Sequence, residues 1–380
     1  MRLLGTEAFL TPPRAIQVRY MRCSMALFSK HPPSQSVTDD EGKWRLCAGA
    51  CVLNSKNEIL IGKRIGMNPE TWQTPQGGVD GATTTKPAET TVQAAIRELY
   101  EEVGIVHGKH VLLEKPMDAE MTNIKCKYKT GGTGSWLEKE GFAGQELNWI
   151  IFRCADSDLE IDPTLVCNLS GLNGEKPEFS DVRWDCLDVV VDNVWEKKAR
   201  PYQVLREACI PIMKQWEERC EELDLSGRWS RDSKRSGGLV EGLVARGLNE
   251  DVALTKATEP YIQHWKPHAT KREWVVTTYD ADGVRPRREL HYPLGDFEET
   301  YEGTSTIFGG TDGGVIERCC FYLAHEDADD QIAHVVVSET PLGREESLRY
   351  LKNGELILRR SFSHPQETDR IVSTEVFTRC

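Results

Sequence analysis

No uninterrupted apolar run in the chain approaches the length that a membrane-spanning helix needs. No C-x-x-C pair stands near a second pair or near a spaced histidine pair, although there are 12 cysteines. That spacing disfavours a structural zinc site, and thiols scattered over a moderately large chain suit a reduced compartment better than a disulfide scaffold. There is no repeat of fixed period, which argues against a solenoid or propeller. Basic residues are in deficit: Lys and Arg number 47 against 60 Asp and Glu, for a net charge of −13. Broad electrostatic binding to nucleic acid or to an anionic membrane is therefore disfavoured, while a local basic pocket for a phosphate chain stays open.

At 380 residues the chain is too long for one ordinary domain. Three segments are expected. Residues 1–40 form a basic leader, with Arg2, Arg14, Arg19, Arg22 and Lys30 against a single acid, Glu7, before Pro32 and Pro33. That is the composition of a mitochondrial or plastid transit peptide, or of a disordered tail ahead of a start at Met21 or Met25 in a cytoplasmic protein. Residues 41–222 mix strand and helix patterns, with ordered sequence expected from about Trp44. Leu46 to Leu53 and Glu58 to Ile65 read as a hairpin about the turn cluster at 54–57. From Pro87 to Val103 the period turns helical, with Val92, Ala95, Ile96, Leu99 and Val103 on one face, Pro87 suiting the first turn and Gly104 the stop. Strands follow at 149–154 and 182–184, then an amphipathic helix at 202–223 with Pro211 as a kink. Residues 223–380 carry short alternating or β-branched runs (273–279, 334–338, 356–362) between turn signals at 282–283, 309–310, 312–314 and 353–354, the pattern of a barrel or sandwich.

The chemistry sits in Arg97-Glu98-Leu99-Tyr100-Glu101-Glu102-Val103-Gly104-Ile105. On a helix Glu98, Glu101 and Glu102 share one side, about a third of a turn from the Leu99/Val103 stripe at about 100° per residue. Three carboxylates so placed repel one another unless a cation sits between them, and clustered hard oxygens suit Mg²⁺ or Mn²⁺. Taken alone, an acidic helical face is more often simply solvated.

The wider context resembles the Nudix family, whose signature is G-x5-E-x7-R-E-U-x-E-E-x-G-U with U aliphatic. Glu89 followed by Arg97 to Ile105 fits its second part without a mismatch. Gly77-Gly78-Val79-Asp80 resembles the opening, but a Thr-rich insertion within residues 81–88 lengthens the loop before Glu89. Trp72 to Gly78, Lys127-Tyr128-Lys129, Gly144-Gln145 before Trp149, Pro177-Glu178-Phe179 before Trp184, and Lys197-Lys198 before Pro201-Tyr202 are similar to stretches of bacterial RNA pyrophosphohydrolases and plant-type diadenosine tetraphosphate hydrolases. The resemblance covers about residues 44–215. It implies an α/β fold, a Nudix α/β/α sandwich with a mixed sheet, and a metal-dependent hydrolase. Its substrate would be a dinucleoside polyphosphate or an RNA 5′-triphosphate, and its cofactor Mg²⁺ or Mn²⁺. Glu98, Glu101 and Glu102 would be the principal metal ligands, with Gly77 and Glu178 beside them; Glu101, Glu102 and Glu178 would carry the catalysis. Gly78, Glu89 and Arg97 would be structural. Arg64, Gln76, Lys197 and Lys198 would face the substrate, the three bases equally readable as solvated surface charges. Tyr128 would stack on a base or touch a phosphate, or else pack within its strand. In-line attack by water on phosphorus follows. The insertion leaves a second reading open, a nucleotide- and lipid-responsive sensor with little turnover.

From residue 223 on, the chain resembles the fatty-acid-binding branch of the calycin barrels: Gly227-Arg228-Trp229 at its start, Pro293 to Thr300, Leu348 to Leu356, and a last strand at Ser373 to Arg379, with a short helical run at Leu239 to Leu248. An all-β calycin-like barrel is implied. That family usually sets an Arg and a Tyr on the last strand as a carboxylate clamp, where this chain has Glu375 and Phe377; Arg349 is the remaining basic candidate. An acid there would repel a fatty-acid headgroup, leaving the cavity to another apolar ligand or the domain to an interaction role. Oligomeric state is not legible.

Overall fold

The computed structural model describes residues 32–67, 69–114, 124–129, 135–269, 272–304, 312–365 and 369–380. The basic run from Arg2 to Lys30, and with it the transit-peptide reading, lies outside the described residues, as do the Gly309-Gly310 turn and the side chains at 301–313.

The first half is built on a nine-stranded sheet: β1 (Ser36–Asp39), β2 (Gly42–Leu53), β3 (Ile59–Arg64), β4 (Trp72–Gln73), β5 (Gln76–Gly78), β6 (Val111–Leu113), β7 (Ile124–Tyr128), β8 (Gly144–Cys154) and β9 (Phe179–Asp185). Its spine runs β4-β3-β2-β8-β6, with β2 and β8 parallel along Trp44↔Gly144 to Leu53↔Arg153 and the other pairs antiparallel. The sheet is therefore mixed. Alternation along β2 and β8 sends Ala48, Ala50, Val52, Ile150 and Phe152 to one face, under α1 (Thr91–Val103). It sends Cys47, Cys51, Leu53, Leu147 and Trp149 to the other face, under α4 (Leu187–Asn193) and α5 (Ala199–Glu222). Both faces covered explains why these strands read as near-continuous apolar runs. Two smaller helices, α2 (Trp136–Lys139) and α3 (Ser157–Ile161), lie beside this core.

Two expectations need correction. Strand β1 falls inside the segment expected to be a leader and pairs with β2 through Ser36↔Arg45 to Asp39↔Gly42. Its side chains are mostly exposed, so the pairing is a backbone event with no apolar signature. Helix α1 starts at Thr91, not near Pro87. Thr90 is its N-cap and makes a reciprocal capping box with Gln93, which satisfies two end N–H groups that a proline start would have left to solvent. The other end is as expected: Gly104 stops the helix in the left-handed region at φ 72°, its N–H bonded to the last-turn carbonyls.

The second half is a ten-stranded antiparallel meander, β10 (Gly227–Arg231) to β19 (Ile371–Arg379), through β11 (Ile262–Pro267), β12 (Glu273–Tyr279), β13 (Pro286–Pro293), β14 (Gly295–Thr304), β15 (Asp312–Ala324), β16 (Ile332–Thr340), β17 (Gly343–Lys352) and β18 (Glu355–Ser363). Strand β10 pairs with β19, so the sheet curls back on itself, and its free edges are β13 and β14. Between β10 and β11 stand α6 (Leu239–Ala245) and α7 (Glu250–Thr258), two helices where one helical run was expected. The Asp312-Gly313-Gly314 run, expected as a turn, opens β15 and pairs back onto β14.

The two halves share an interior. One apolar cluster runs from the α1 face of the first sheet to the outer face of β15–β18, through Phe321, Leu323, Val335, Val337 and Leu348. Trp216 of α5, with Leu223 and Leu225, joins the cluster inside the barrel. Asp158 of α3 pairs with Arg344 of β17 at 2.6 Å and with Arg370.

Gly104 is held at a positive φ with the Asn168 backbone N only 3.1 Å from where a Cβ would stand. Gly104→Ala is expected to lose about 1–2 kcal/mol of stability, read as a lower urea midpoint at unchanged slope. An unchanged midpoint would mean that the left-handed stop does not hold α1 in place.

Candidate active site

Helix α1 sets its three acids by periodicity alone, and the strands opposite it build the rest. A cleft of about 820 Å³ opens along the end of the sheet. Glu98, Glu101 and Glu102 line one wall, each less than a tenth exposed. Arg45 of β2, Arg64 of β3 and Lys198, just before α5, line the other parts with Gln76, Gly77, Gly78 and Glu178.

The hydrogen bonds fix these groups closely. Arg97 spans the base of the cleft: its Nε donates to Glu89 Oε1 at 2.9 Å, its Nη2 to the Gly78 carbonyl at 2.7 Å, and its Nη1 to Glu98 Oε1 at 2.7 Å and Glu101 Oε2 at 2.8 Å. Loop 77–80 and helix are thereby tied through one guanidinium, the structural role expected of Glu89, Arg97 and Gly78. The insertion does not break this tie. Residues 82–88 are exposed and stand outside the cleft lining, and Glu89 still receives Arg97. Glu102 accepts the Gln76 backbone N–H at 3.1 Å, and Glu101 accepts Asn173 Nδ2 at 3.2 Å. Glu178, 114 residues from Arg64 in sequence, is brought to the cleft and paired with it.

Burial raises the Glu98 carboxyl to about 7, with Arg97 opposing the rise. Glu102 is also pushed well above the ordinary carboxylate range, first by desolvation and then by Glu98 beside it. Lys198 is lowered to about 8 by desolvation and by the nearby Arg64 charge. Glu98 and Glu102 are thus desolvated acids side by side, and Lys198 is a desolvated base lining the same cleft, the kind of perturbed cluster that marks a functional site.

The donor set fits a hard divalent cation. Gly77 leaves a cradle: a Cβ there would fall on the Glu98 carboxylate. The Gln76 side-chain oxygen is buried without a hydrogen-bond partner. Among the described residues no three acidic, histidine or cysteine side chains are already gathered about one point; the Arg97 guanidinium supplies the positive charge between Glu98 and Glu101.

Not every expected residue reaches the cleft. Tyr128 is a core residue, 6% exposed, with its hydroxyl donating to Gln145; the apolar face of β7 under α5 takes it inward. Lys197 is exposed and its ammonium lies 5.4 Å from the centre of the Trp195 ring, whereas Lys198 turns in and donates to Gln73 at 2.8 Å. The cleft also holds residues that no motif announced: Arg45, whose guanidinium lies 5.0 Å over the Trp136 ring, and Trp195. Arg45 sits in a strand and Trp136 in a four-residue helix, so neither had periodicity or spacing to mark it.

A mixed sheet between helices, with an acid-bearing helix facing a basic wall, defines a Nudix-type site. A NUDIX domain model matches residues 43–207. Nudix hydrolase 26, chloroplastic, of Arabidopsis thaliana is 32% identical over 168 residues, 43% of this chain and 68% of that protein. The RNA pyrophosphohydrolase of Pelagibacter ubique (strain HTCC1062) is 34% identical over 165 residues, 43% of this chain and 90% of that protein. The chain belongs to the Nudix hydrolase family. Among solved structures, the wild-type fluorescent protein UnaG aligns with 41% of this chain and 97% of its own at 15% identity and a TM-score of 0.30. Lipid binding protein 8 of Caenorhabditis elegans aligns with 42% and 99% at 11% identity and a TM-score of 0.30.

Gly77→Ala is expected to displace the Glu98 carboxylate and weaken Mn²⁺ uptake at least about tenfold, measured by titration calorimetry with circular dichroism as the folding control. Unchanged uptake would remove Glu98 from the donor set.

Proposed function

We propose that this Nudix hydrolase cleaves a phosphoanhydride bond in a dinucleoside polyphosphate of the diadenosine tetraphosphate type. The observation that carries the reading is the opposition of Glu98, Glu101 and Glu102 to Arg45, Arg64 and Lys198 across one cleft. A polyphosphate needs both walls, acids to hold the cations that accompany it and fixed bases to offset what charge remains. Mg²⁺ or Mn²⁺ held by Glu98, Glu101 and Glu102, with Gly77 and Glu178 beside them, would offset phosphate charge and acidify water.

The chain's own residues supply the rest. Arg97 holds Glu98 and Glu101 in fixed rotamers, so their oxygens need little reordering. Glu102, desolvated and raised in pKa, is suited to take a proton from the attacking water. Glu178 reaches the cleft from the segment just before β9 and is steadied by Arg64. Arg64, Arg45 and Lys198 line the same cleft and would offset the charge that the leaving phosphate gains. Trp136, 53% exposed, offers a face to a base at the rim. The net charge of −13 favours a small nucleotide over a long RNA; an RNA 5′-triphosphate is the competing substrate. The sensor reading rested on the insertion at 81–88, and no observation here favours it, since that loop leaves the Glu89–Arg97 tie intact.

Purified protein with Mg²⁺ is expected to release product from diadenosine tetraphosphate faster than from 5′-triphosphorylated RNA. Glu101→Gln and Glu102→Gln should each lower kcat by about a hundredfold or more, and Glu178→Gln by less. Turnover of neither substrate, or turnover indifferent to Glu101 and Glu102, would overturn the proposal.

A further inference from the structure

Inside the barrel the charges do not balance. Arg231 of β10, Arg246 just after α6, Arg349 of β17 and Arg360 of β18 face only Glu345 and Glu375 at that end of the lumen. Arg231 pairs with Glu375 at 3.1 Å, Arg360 pairs with Glu375 and lies 3.8 Å from Glu345, and Arg246 pairs with Glu345 at 2.9 Å. Arg349 pairs with no carboxylate among the described residues. Its guanidinium lies 5.4 Å from the Trp265 ring of β11 and 5.0 Å from the Tyr292 ring of β13. Neither strand neighbours β17 in the sheet, so these contacts cross the lumen.

The surplus is buried. Arg349 is 4% exposed and Glu375 1%. Arg349 Nε and Arg231 Nε are enclosed without an acceptor, and so is Nδ1 of the fully buried His334. Desolvation holds Arg231 below the usual arginine range, and desolvation with the neighbouring Arg246 charge brings Arg360 to about 10. Leaving cations unpaired in a low-dielectric interior is costly. Hydrophobic side chains of similar volume would avoid that cost.

We infer that the polar end of the barrel is an anion site for a phosphomonoester, held by Arg231, Arg349 and Arg360. Two charges in surplus over Glu345 and Glu375 match a phosphate dianion better than the single charge of a carboxylate, and guanidinium forks suit phosphate oxygens. The acid on the last strand does not exclude this ligand. Glu375 is spent on Arg231 and Arg360, and it spaces the two guanidinia rather than facing the lumen alone. Helices α6 and α7 stand over the site: Arg246 bonds the Gly242 carbonyl at 2.8 Å as well as Glu345, and Arg231 donates to the Lys256 and Glu259 carbonyls at 2.6 and 2.7 Å. The phosphate belongs either to a free metabolite or to a lipid headgroup.

The test is calorimetric titration of the full chain in EDTA with glycerol 3-phosphate, lysophosphatidate and oleate. One-site binding of glycerol 3-phosphate supports the site and a free ligand; binding of lysophosphatidate alone supports the site and a lipid. In either case Arg349→Leu should weaken binding at least tenfold, and Arg349→Lys, which keeps the charge and guards against misfolding of the first variant, should weaken it less. Oleate binding as tightly as lysophosphatidate, no binding of either phosphate, or binding unchanged in Arg349→Leu would overturn the inference. The titrations read binding and not Nudix turnover, so the result stands apart from the proposal for the cleft.

Discussion

One guanidinium holds the candidate site together. Arg97 must serve Glu89, Glu98, Glu101 and the Gly78 carbonyl at once, and the rest of the cleft is arranged around that demand. Three acids on one helical turn repel, and burial makes Glu98 and Glu102 more costly to ionise. A single delocalised cation with five N–H donors, fixed at the turn's edge, offsets part of that cost and sets the rotamers. What it cannot do is neutralise all three. Glu102 receives a backbone N–H from Gln76 and no guanidinium, and its carboxyl, like that of Glu98, is pushed well above its ordinary range. The cluster is therefore stable enough to fold and unsatisfied enough to bind.

How much of this was readable beforehand depended on whether a residue acts through pattern or through long-range placement. Glu98, Glu101 and Glu102 act through pattern, because a helix fixes their relation at i, i+3 and i+4 without reference to the rest of the chain. Gly104 acts locally too. Glu178 needed the resemblance, since nothing near it in sequence says that β9 returns beside β3. Arg45, Trp136 and Trp195 escaped altogether, for they reach the cleft only through sheet order. Tyr128 carried two readings, a ligand role and packing within its strand, and the parity of β7 decides for the second by turning it into the core below α5. Strand β1 was lost because an exposed edge strand is specified by backbone hydrogen bonds, which leave no trace in side-chain character.

In the barrel the strands were legible and their meaning was not. Alternation marked β12, β16 and β18 within a residue or two of their observed limits. The charge on the last strand was read as a repulsion because Glu375 was considered by itself. It sits between Arg231 of β10 and Arg360 of β18, the two strands that flank β19, and the sign of the local charge is reversed. Sequence order hides such pairs: Arg231 and Glu375 lie at opposite ends of the second half, and only the β10–β19 closure makes them neighbours.

That closure also bears on why the halves are joined as they are. A barrel tethered by a loose linker would keep its outer strands polar, as independent domains do at their surfaces. Here the outer face of β15–β18 is apolar and continuous with the core beneath α1, and α5 runs on from the first half to place Trp216, Leu223 and Leu225 inside the barrel's own cluster. Buried Glu114, paired with Arg153 at 2.8 Å, also accepts from Arg219 of the same helix, which pins α5 on the first half. Apolar area removed from water at about 25 cal/mol per Å² favours the docked arrangement over a separated one, and the pairs of Asp158 with Arg344 and Arg370 cross between the halves. The strands that carry Glu345, Arg349 and Arg360 thus have their backs against the domain that carries the acidic helix. Occupancy of the lumen and geometry of the cleft are then set within one packed body, and a change in the lie of β17 or β18 must be met by the core under α1.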